Sequence, residues 1–424
     1  MSQELGNRSG AALGERPPDR RVIVSRAQRL MATEVSVQLA VEPWRIAEAD
    51  TALADCFAWF SEVEWRLTRF QPESELCALN RAAGEWFAAS ETLFSAVYVA
   101  TRAAFASDGL FNPALLRQIE ALGYDRDFSL LSQRADAAAA STPCPTPVRG
   151  RESMPTPLDA WKGIIFNSAR QRIRLPQGVA LDLGGIAKGW AADVAMERYC
   201  ARFPGALINV GGDLRLHGGP QPGQPWTIGI RDPRDSGESQ TAHGVEPDSA
   251  APDSAEVWNR ASLAVSRGAL ASSGAVRRWW RKDGARYHHL LDPHTGQPLP
   301  LWTTADDVDA DPLELATREP LTATVTALAP TGAQAEVATK MALARGRERA
   351  MAEVERAWAR WGAVGPKGEL DVGVALIFTL SDGRVIHSAN LADWLASWGT
   401  DDAPLPLLLN TPGAEPLVLG SSDL

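Results

Sequence analysis

Apolar residues recur along this chain with two different periods, and each period predicts one kind of element. At Val35, Val37 and Leu39 they alternate with polar residues, which predicts a strand, because successive side chains of a strand point to opposite faces. Over 45–66 the apolar positions have helical spacing, and the pattern over 90–107 predicts a second helix.

Short apolar runs bounded by turn residues predict further strands. They lie at 206–210, 226–230, 263–266, 322–329 and 374–379. Helical patterns separate several of these runs, so the predicted fold class is α+β, with mixed or antiparallel sheets and packed helices.

Several segments lack the apolar residues that a packed core needs. Residues 1–20 are predicted to be disordered. Three insertions rich in small, polar or acidic residues are predicted to be surface loops, near 131–160, 234–256 and 300–318. We therefore predict a single domain over 21–400, followed by a tail at 401–424.

Composition narrows the possible partners. The net charge of the 424 residues is −10, which argues against nucleic acid, because phosphate contacts need clustered Lys and Arg. The four cysteines are widely spaced and form no CxxC pair, which argues against a zinc site or a disulfide framework. No apolar run has the length of a signal-peptide core or a membrane span, so a soluble, cytoplasmic protein is predicted.

The segment 180–193 reads ALDLGGIAKGWAAD and predicts a short strand ending at Asp182, two glycines, and a helix to about Arg202. Glycines at such a turn permit positive φ and let a ligand approach the backbone, and a helix N-terminus offers free N–H groups to a phosphate. Lys188 can pair there with a phosphate or a carboxylate. A tight turn with a surface lysine explains the same residues.

Two later segments carry polar residues beside turns. In 206–213 a strand runs into two glycines, where Asn209 can hydrogen-bond a ligand ring or the segment can be a plain hairpin. Three of the six histidines, His288, His289 and His294, then fall within seven residues around an Asp-Pro-x-x-Gly turn signal. A histidine placed there can act as a general base, because its ordinary pKa is near neutral.

The segment 322–346 predicts a strand, a Pro-Thr-Gly break and a helix. On that helix Glu336 shares one face with Thr339 and Lys340, since residues three and four apart are neighbours. A carboxylate and a hydroxyl can hold Mg²⁺ through oxygen. An amphipathic helix with a Glu–Lys surface pair is the alternative.

These four segments, in this order, resemble the ApbE family of FAD:protein FMN transferases. The resemblance covers about residues 28–395 and rests above all on DLGGIAKG at 182–189 and HLLDPHTGQP at 289–298. It implies a T-fold-like domain with FAD held in a cleft between two lobes.

The resemblance also implies roles for individual residues. Seven would contact FAD: Met31, Phe70, Leu110, Phe111, Asn112, Asp182 and Lys188. His289 would be the base that activates an acceptor hydroxyl. Mg²⁺ would be bound by the carbonyl of Gly185 and by Glu336, with Lys340 or Thr339 at the second metal position on the helix.

The implied reaction moves FMN from FAD to a Ser or Thr hydroxyl of an acceptor protein, with release of AMP. The partners are therefore FAD and that acceptor, and the protein is predicted to be a monomer or a homodimer. The family's acceptor motif, Ser/Thr-Gly-Ala-Ser/Thr, is incomplete in both 273–276 and 331–334, which argues against self-modification.

The chain departs from the family pattern at the metal position. Where relatives read Ala-Asp-x-x-Ala-Thr, residues 335–340 read Ala-Glu-Val-Ala-Thr-Lys, and an inward ammonium repels Mg²⁺. The metal site is therefore either weakened, or modified so that Thr339 substitutes while Lys340 turns outward or reaches a phosphate. Two other functions stay open: an FAD-binding or scavenging protein with little catalysis, and a pyrophosphatase that gives FMN and AMP.

Overall fold

The computed structural model describes most of the chain. The described residues are 20–126, 128–131, 157–231, 259–276, 278–282, 285–301, 320–361, 373–391, 394 and 408–409. The predicted disordered segment, the three predicted insertions and the predicted tail lie almost entirely outside these residues.

The described residues form eight α-helices. They are α1 (Ile46–Leu67), α2 (Glu75–Arg81), α3 (Glu91–Ala106), α4 (Leu116–Ala121), α5 (Phe128–Leu131), α6 (Ala187–Ala195), α7 (Gly332–Arg345) and α8 (Arg347–Trp361). The two helices predicted near the N-terminus are confirmed as α1 and α3, and the helix predicted after the Pro-Thr-Gly break is confirmed as α7.

The described residues form sixteen strands. They are β1 (Val22–Leu30), β2 (Thr33–Val41), β3 (Phe87–Ala88), β4 (Ile165–Asn167), β5 (Arg172–Arg174), β6 (Gly205–Val210), β7 (Asp213–Gly218), β8 (Trp226–Arg231), β9 (Asn259–Val265), β10 (Arg267–Gly274), β11 (Trp279–Lys282), β12 (Ala285–His288), β13 (Thr322–Ala329), β14 (Ala375–Leu380), β15 (Val385–His387) and β16 (Leu408–Leu409). Each strand predicted from an apolar run or from alternation overlaps one of them.

One large sheet organises the fold. Its eight strands run in the order β1-β2-β6-β7-β10-β13-β14-β15, and every neighbouring pair is antiparallel. Val35, Val37 and Leu39 of β2 are buried on one face, as the alternating pattern predicts. Together with the helices this gives the predicted α+β architecture.

The core lies on both faces of this sheet. On one face α1, α6 and α7 pack on the strands, and α3 and α8 pack on those helices. On the other face a smaller apolar cluster joins Leu216, Leu270 and Leu328 to Trp226 and Leu263 of the three-stranded sheet β16-β9-β8. Adjacent residues of one strand therefore serve different cores, as Ala327 and Leu328 do.

Helix α1 illustrates why the predicted helices form. Its buried residues recur every three or four positions, so that one stripe faces the sheet. Ser90 caps the N-terminus of α3, where its hydroxyl accepts a hydrogen bond from Leu93 N at 3.1 Å, and Thr331 caps α7, where its hydroxyl accepts from Gln334 N at 3.3 Å. These side chains satisfy N–H groups that the first helical turn leaves free.

The prediction of a strand ending at Asp182 is wrong. The carboxamide of Asn80 takes the place of a neighbouring strand, since it donates to Leu181 O at 3.0 Å and accepts from Leu181 N at 2.8 Å. The helix after the glycines ends within two residues of the predicted position, but it is not α-helical throughout. Its α-helical part ends at Ala195, and a π-helical turn continues over Met196–Cys200.

No helix in the described part of the chain is long and apolar enough to cross a lipid bilayer.

Candidate active site

A cavity of about 870 Å³ opens between α1, the N-terminus of α6, helix α7 and strands β10 and β13. Eleven of the twelve predicted site residues line it: Met31, Phe70, Leu110, Phe111, Asn112, Asp182, Gly185, Lys188, His289, Glu336 and Lys340. Thr339 is the twelfth, and it is not among the lining residues. Folding therefore collects into one space residues that are far apart in the sequence.

The turn between β1 and β2 forms part of the cavity wall. Leu30 pairs with Thr33, which leaves Met31 and Ala32 as a two-residue hairpin loop with φ of 53° and 58°. Such loops normally contain Asn or Gly, because other L residues are strained in the left-handed region. Met31 is further held by its N–H, which donates to Glu64 Oε1 at 2.9 Å.

The turn at Gly184 and Gly185 leads into α6. Neither glycine has positive φ, so the expected conformational reason for these residues is wrong. A Cβ at Gly185 would lie 3.3 Å from the Phe111 ring, which would have to shift by a few tenths of an ångström, and 3.7 Å from Lys340 Cε, which is an ordinary contact. Asp182 Oδ1 accepts a hydrogen bond from Gly184 N at 2.8 Å and fixes the turn.

Lys188 begins a buried charge cluster behind this turn. Its ammonium forms an ion pair with Asp213 and lies 3.7 Å from Glu336 Oε1. Burial lowers the pKa of Lys188, but the negative charges of Asp213 and Glu336 outweigh burial and raise it above its ordinary value. Lys188 therefore carries a positive charge at neutral pH.

Glu336 is fully buried and is held by α6. Its Oε2 accepts a hydrogen bond from Gly189 N at 2.8 Å, and its Oε1 lies 3.7 Å from Lys340 Nζ as well as from Lys188. Burial raises the pKa of Glu336, and the charge of Lys340 opposes that rise. Burial also lowers the pKa of Lys340, against the attraction of Glu336 and Asp213.

Thr339 faces a different direction from its neighbour Lys340. Its hydroxyl donates to Glu336 O at 2.7 Å and lies 2.7 Å from Ser273 Oγ on β10. Lys340 instead points into the cavity, so the arrangement in which Thr339 faces the cavity and Lys340 turns outward is not the one found.

His289 follows strand β12 and is half-buried in the cavity wall. Its Nδ1 is buried and has no hydrogen-bond partner among the described residues. Burial lowers the pKa of His289 to about 3, and the positive charges of Arg278, His288 and Lys340 lower it in the same direction. The imidazole is therefore neutral at physiological pH and can accept a proton.

A cation–aromatic cluster stands elsewhere in the cavity wall. The Arg69 guanidinium lies 4.2 Å from the Phe70 ring centroid and 4.5 Å from that of Tyr124, and its Nε is 3.2 Å from Asp182 Oδ2. Nη2 of Arg69 is buried and has no hydrogen-bond partner among the described residues. Such an arrangement suits a flat, electron-rich or anionic ligand group.

Two asparagines hold local backbone turns, and one of them, Asn112, also lines the cavity. Asn112 donates to Leu158 O at 2.7 Å and accepts from Ala114 N at 2.9 Å. Asn209 accepts from Gly212 N at 2.8 Å, inside a hairpin whose glycines have positive φ. For Asn209, the hairpin alternative is the one the structure has.

A comparison with protein families decides the affiliation of the chain, because the model of the ApbE family matches residues 31–361. The chain belongs to the ApbE family. The FAD:protein FMN transferase of Treponema pallidum is 28% identical over 275 residues, which cover 62% of this chain and 67% of that protein. The corresponding protein of Klebsiella pneumoniae is 28% identical over 256 residues, which cover 59% and 68%.

Solved ApbE structures share the fold. The ApbE protein of Thermotoga maritima superposes with a TM-score of 0.62 at 21% identity and covers 88% of this chain and 99% of its own. The apo flavinyl transferase ApbE of Pseudomonas stutzeri gives 0.61 at 17% identity, with 89% and 98% covered. The predictions of the family, of its α+β fold and of an enzyme are thereby confirmed.

The ApbE resemblance implies Mg²⁺, but the side chains around Glu336 do not fit it. Magnesium prefers six oxygen ligands, whereas Glu336 Oε1 faces two ammonium groups at 3.7 Å each and Oε2 is taken by Gly189. At about 4 Å and an effective dielectric of about 20, a divalent cation and one ammonium repel by about 8 kcal/mol. Among the described residues no group of three or more His, Cys, Asp or Glu side chains is arranged to hold a metal.

Three residues of this ApbE site were not predicted from the sequence. Arg69 stands in the string Leu-Thr-Arg-Phe and Asp213 ends the string Gly-Gly-Asp, so both lay inside recognised motifs without a role. Arg278 lies before the predicted histidine segment and lines the cavity. For Arg69 and Asp213 the available sequence signal was a charged residue directly next to an aromatic residue or to a glycine turn.

Proposed function

We propose that this chain is an FAD:protein FMN transferase, which moves FMN from FAD to a Ser or Thr hydroxyl of an acceptor protein and releases AMP. The observation that carries the proposal is the convergence of Lys188, Lys340 and His289 on one cavity that begins at a helix N-terminus. The positive groups suit a pyrophosphate, whereas most N–H groups at the start of α6 are already bonded: Ala187 N donates to Leu183 O and Gly189 N to Glu336 Oε2.

The chain's own residues account for the binding of the donor. The pyrophosphate would lie against the first turn of α6, where the backbone passes Gly185 and where Lys340 projects. The flat ring systems would contact Met31, Phe70 and Phe111, all of which line the cavity. Aromatic and apolar side chains bind flat rings through offset stacking and burial of apolar surface.

In the transfer step, the acceptor oxygen forms a bond to the FMN phosphorus while the bond from that phosphorus to the bridging oxygen breaks. His289 takes the hydroxyl proton, and AMP leaves with the bridging oxygen. The low pKa of His289 makes it a weak base in the empty cavity. The negative charge of bound pyrophosphate opposes the positive neighbours and raises that pKa toward a useful range.

The test is a transfer assay with FAD and a peptide that contains Ser-Gly-Ala-Thr, run both in EDTA and in MgCl₂. We expect AMP release and a peptide heavier by one FMN in at least one buffer. His289→Gln should lower the rate by about 100-fold or more, because a general base contributes about 10²–10⁴-fold. His294→Gln, which removes an exposed imidazole outside the cavity lining, serves as the matched control.

Two outcomes would contradict the proposal. FMN and AMP without a peptide adduct would identify a pyrophosphatase, and bound but intact FAD in both buffers would identify a flavin-binding protein. The acceptor itself, the oligomeric state and the cytoplasmic location stay predictions from the sequence.

A further inference from the structure

Two buried carboxyl groups and two partly buried lysines adjoin the cavity. Asp213 pairs with Lys188, and Glu336 lies within 3.7 Å of both Lys188 and Lys340. The carboxylate side chains are 5% and 0% exposed, and the ammonium side chains 25% and 19% exposed. The positive groups therefore stand on the cavity side of the cluster and the negative groups stand behind them.

The two lysines are not equivalent. Lys188 is held by Asp213 in a direct ion pair. Lys340 lies 3.7 Å from Glu336 Oε1, which is outside hydrogen-bond distance. Because an ammonium has three N–H donors, Lys340 has donors to give to a ligand while it keeps its ion pair.

The direction of Lys340 brings its charge to the glycine turn. Its Cε would lie 3.7 Å from a Cβ built on Gly185, so the end of its side chain stands between Glu336 and the entrance to α6. This is the place where a cation would meet both a buried carboxylate and a phosphate that binds at the helix N-terminus.

We propose that Lys340 is the cation that this chain supplies to the pyrophosphate of FAD, in place of a divalent metal ion. The inference rests on the proposed function, because it requires FAD in the cavity. Glu336 holds the ammonium on one side by charge, and the N–H groups of Lys340 donate to phosphate oxygens on the other. FAD binding, and the transfer that follows it, then proceed without Mg²⁺.

Equilibrium binding of FAD, measured by quenching of flavin fluorescence without any acceptor, tests this directly. For the wild-type chain we expect Kd in EDTA and in MgCl₂ to agree within a factor of about two. Lys340→Gln should weaken binding in EDTA by about 10- to 100-fold, because a charge-assisted hydrogen bond is lost. Lys162→Gln, which neutralises an exposed lysine outside the cavity lining, is the matched control.

A third variant tests whether the ammonium occupies a cation position. Lys340→Thr puts a hydroxyl on the same helical face as Glu336 and opens space beside Oε1. We expect MgCl₂ to strengthen FAD binding by this variant, although it does not do so for the wild type. A variant that does not respond to MgCl₂ would contradict replacement of a metal by Lys340.

The outcomes separate this inference from the proposed function. Wild-type FAD binding that is about tenfold or more tighter in MgCl₂ than in EDTA would overturn the inference alone. A Kd of Lys340→Gln for FAD equal to that of the wild type would also overturn the inference alone. Failure of the wild type to bind FAD in either buffer would refute the proposed function, and the inference with it.

Loss of folding is checked separately. Removal of Lys340 leaves the buried Glu336 with one ion pair fewer, so each variant is compared with the wild type in thermal unfolding. Glu336→Gln combined with Lys340→Met removes both charges while the amide oxygen still accepts from Gly189 N. If this double variant folds but binds FAD weakly, the result supports the inference. If it binds FAD in EDTA as tightly as the wild type does, the result contradicts the inference.

Discussion

At the residue scale, position along helix α7 decides which side chain lines the cavity. Thr339 and Lys340 are adjacent on α7. The Thr339 hydroxyl lies within hydrogen-bond distance of the Ser273 hydroxyl on β10, whereas the Lys340 side chain lines the cavity. A helix turns by about 100° per residue, so neighbours in sequence face different surfaces. The chemistry at this point therefore depends on which of the two residues faces the cavity, and that residue is Lys340.

Backbone strain at Ala32 gives a prediction at the residue scale. Ala32→Gly should raise the free energy of unfolding by about 1 kcal/mol. An L residue in the left-handed region costs about 1–2 kcal/mol, and the extra freedom of unfolded glycine offsets part of the gain. The φ of 58° at Ala32 places it in that region. Urea denaturation of the ligand-free protein measures the effect.

The same substitution in a helix provides the control. Ala352 is exposed on α8, so Ala352→Gly should lower the free energy of unfolding by about 1 kcal/mol, because glycine is a poor helix former. If Ala32→Gly and Ala352→Gly change the free energy of unfolding in the same direction, the strain at Ala32 does not govern the result.

At the element scale, the contact between α6 and α7 sets the geometry of the charge cluster. A Cβ built on Gly189 would lie 2.3 Å from the backbone of Gly332, so only glycines permit this approach. The same contact brings Gly189 N to Glu336, and Asp193 Oδ1 and Oδ2 accept from Gly332 N and Ala333 N at the start of α7. The helix pair therefore holds Lys188 and Glu336 together.

Gly189→Ala tests the importance of this contact. The added methyl group must separate the two helices, and we expect the free energy of unfolding to fall by about 1–3 kcal/mol, with weaker FAD binding. Gly332→Ala should have a similar effect from the other helix. In the double variant the free energy of unfolding should fall by less than the sum of the two single losses, because one displacement of the helices relieves both clashes. Full additivity in urea denaturation would argue against a shared contact.

At the scale of the whole molecule, the cavity depends on long-range assembly. Met31 comes from the hairpin of β1 and β2, Lys340 comes from a helix packed on β10 and β13 of the same sheet, and both residues line the cavity. A ligand that contacts so many elements binds the folded state alone. Binding and stability are then linked by mass action.

This linkage predicts the response of the protein to FAD. At an FAD concentration of about 100 times Kd, the free energy of unfolding should rise by about 2.7 kcal/mol. Riboflavin, which has the ring but no phosphate, should raise it less at equal concentration, since it does not meet Lys188 and Lys340. Thermal unfolding followed by circular dichroism measures both, and equal shifts would contradict a role for the pyrophosphate.

The sequence by itself determined several elements and eleven residues of the cavity lining, the elements from local apolar patterns and most of the lining residues through motif strings that resemble the ApbE family. Apolar spacing located α1, α3, α7 and four of the eight strands of the large sheet, β2, β6, β13 and β14, and the motif strings located His289 and Lys188. What only the tertiary structure decided involves partners that are distant in sequence. Asn80 replaces a neighbouring strand beside Leu181, Arg69 pairs with Asp182, and Asp213 holds Lys188. The direction of Lys340 belongs to the same class, because the contact between α6 and α7 determines where that ammonium meets the cavity.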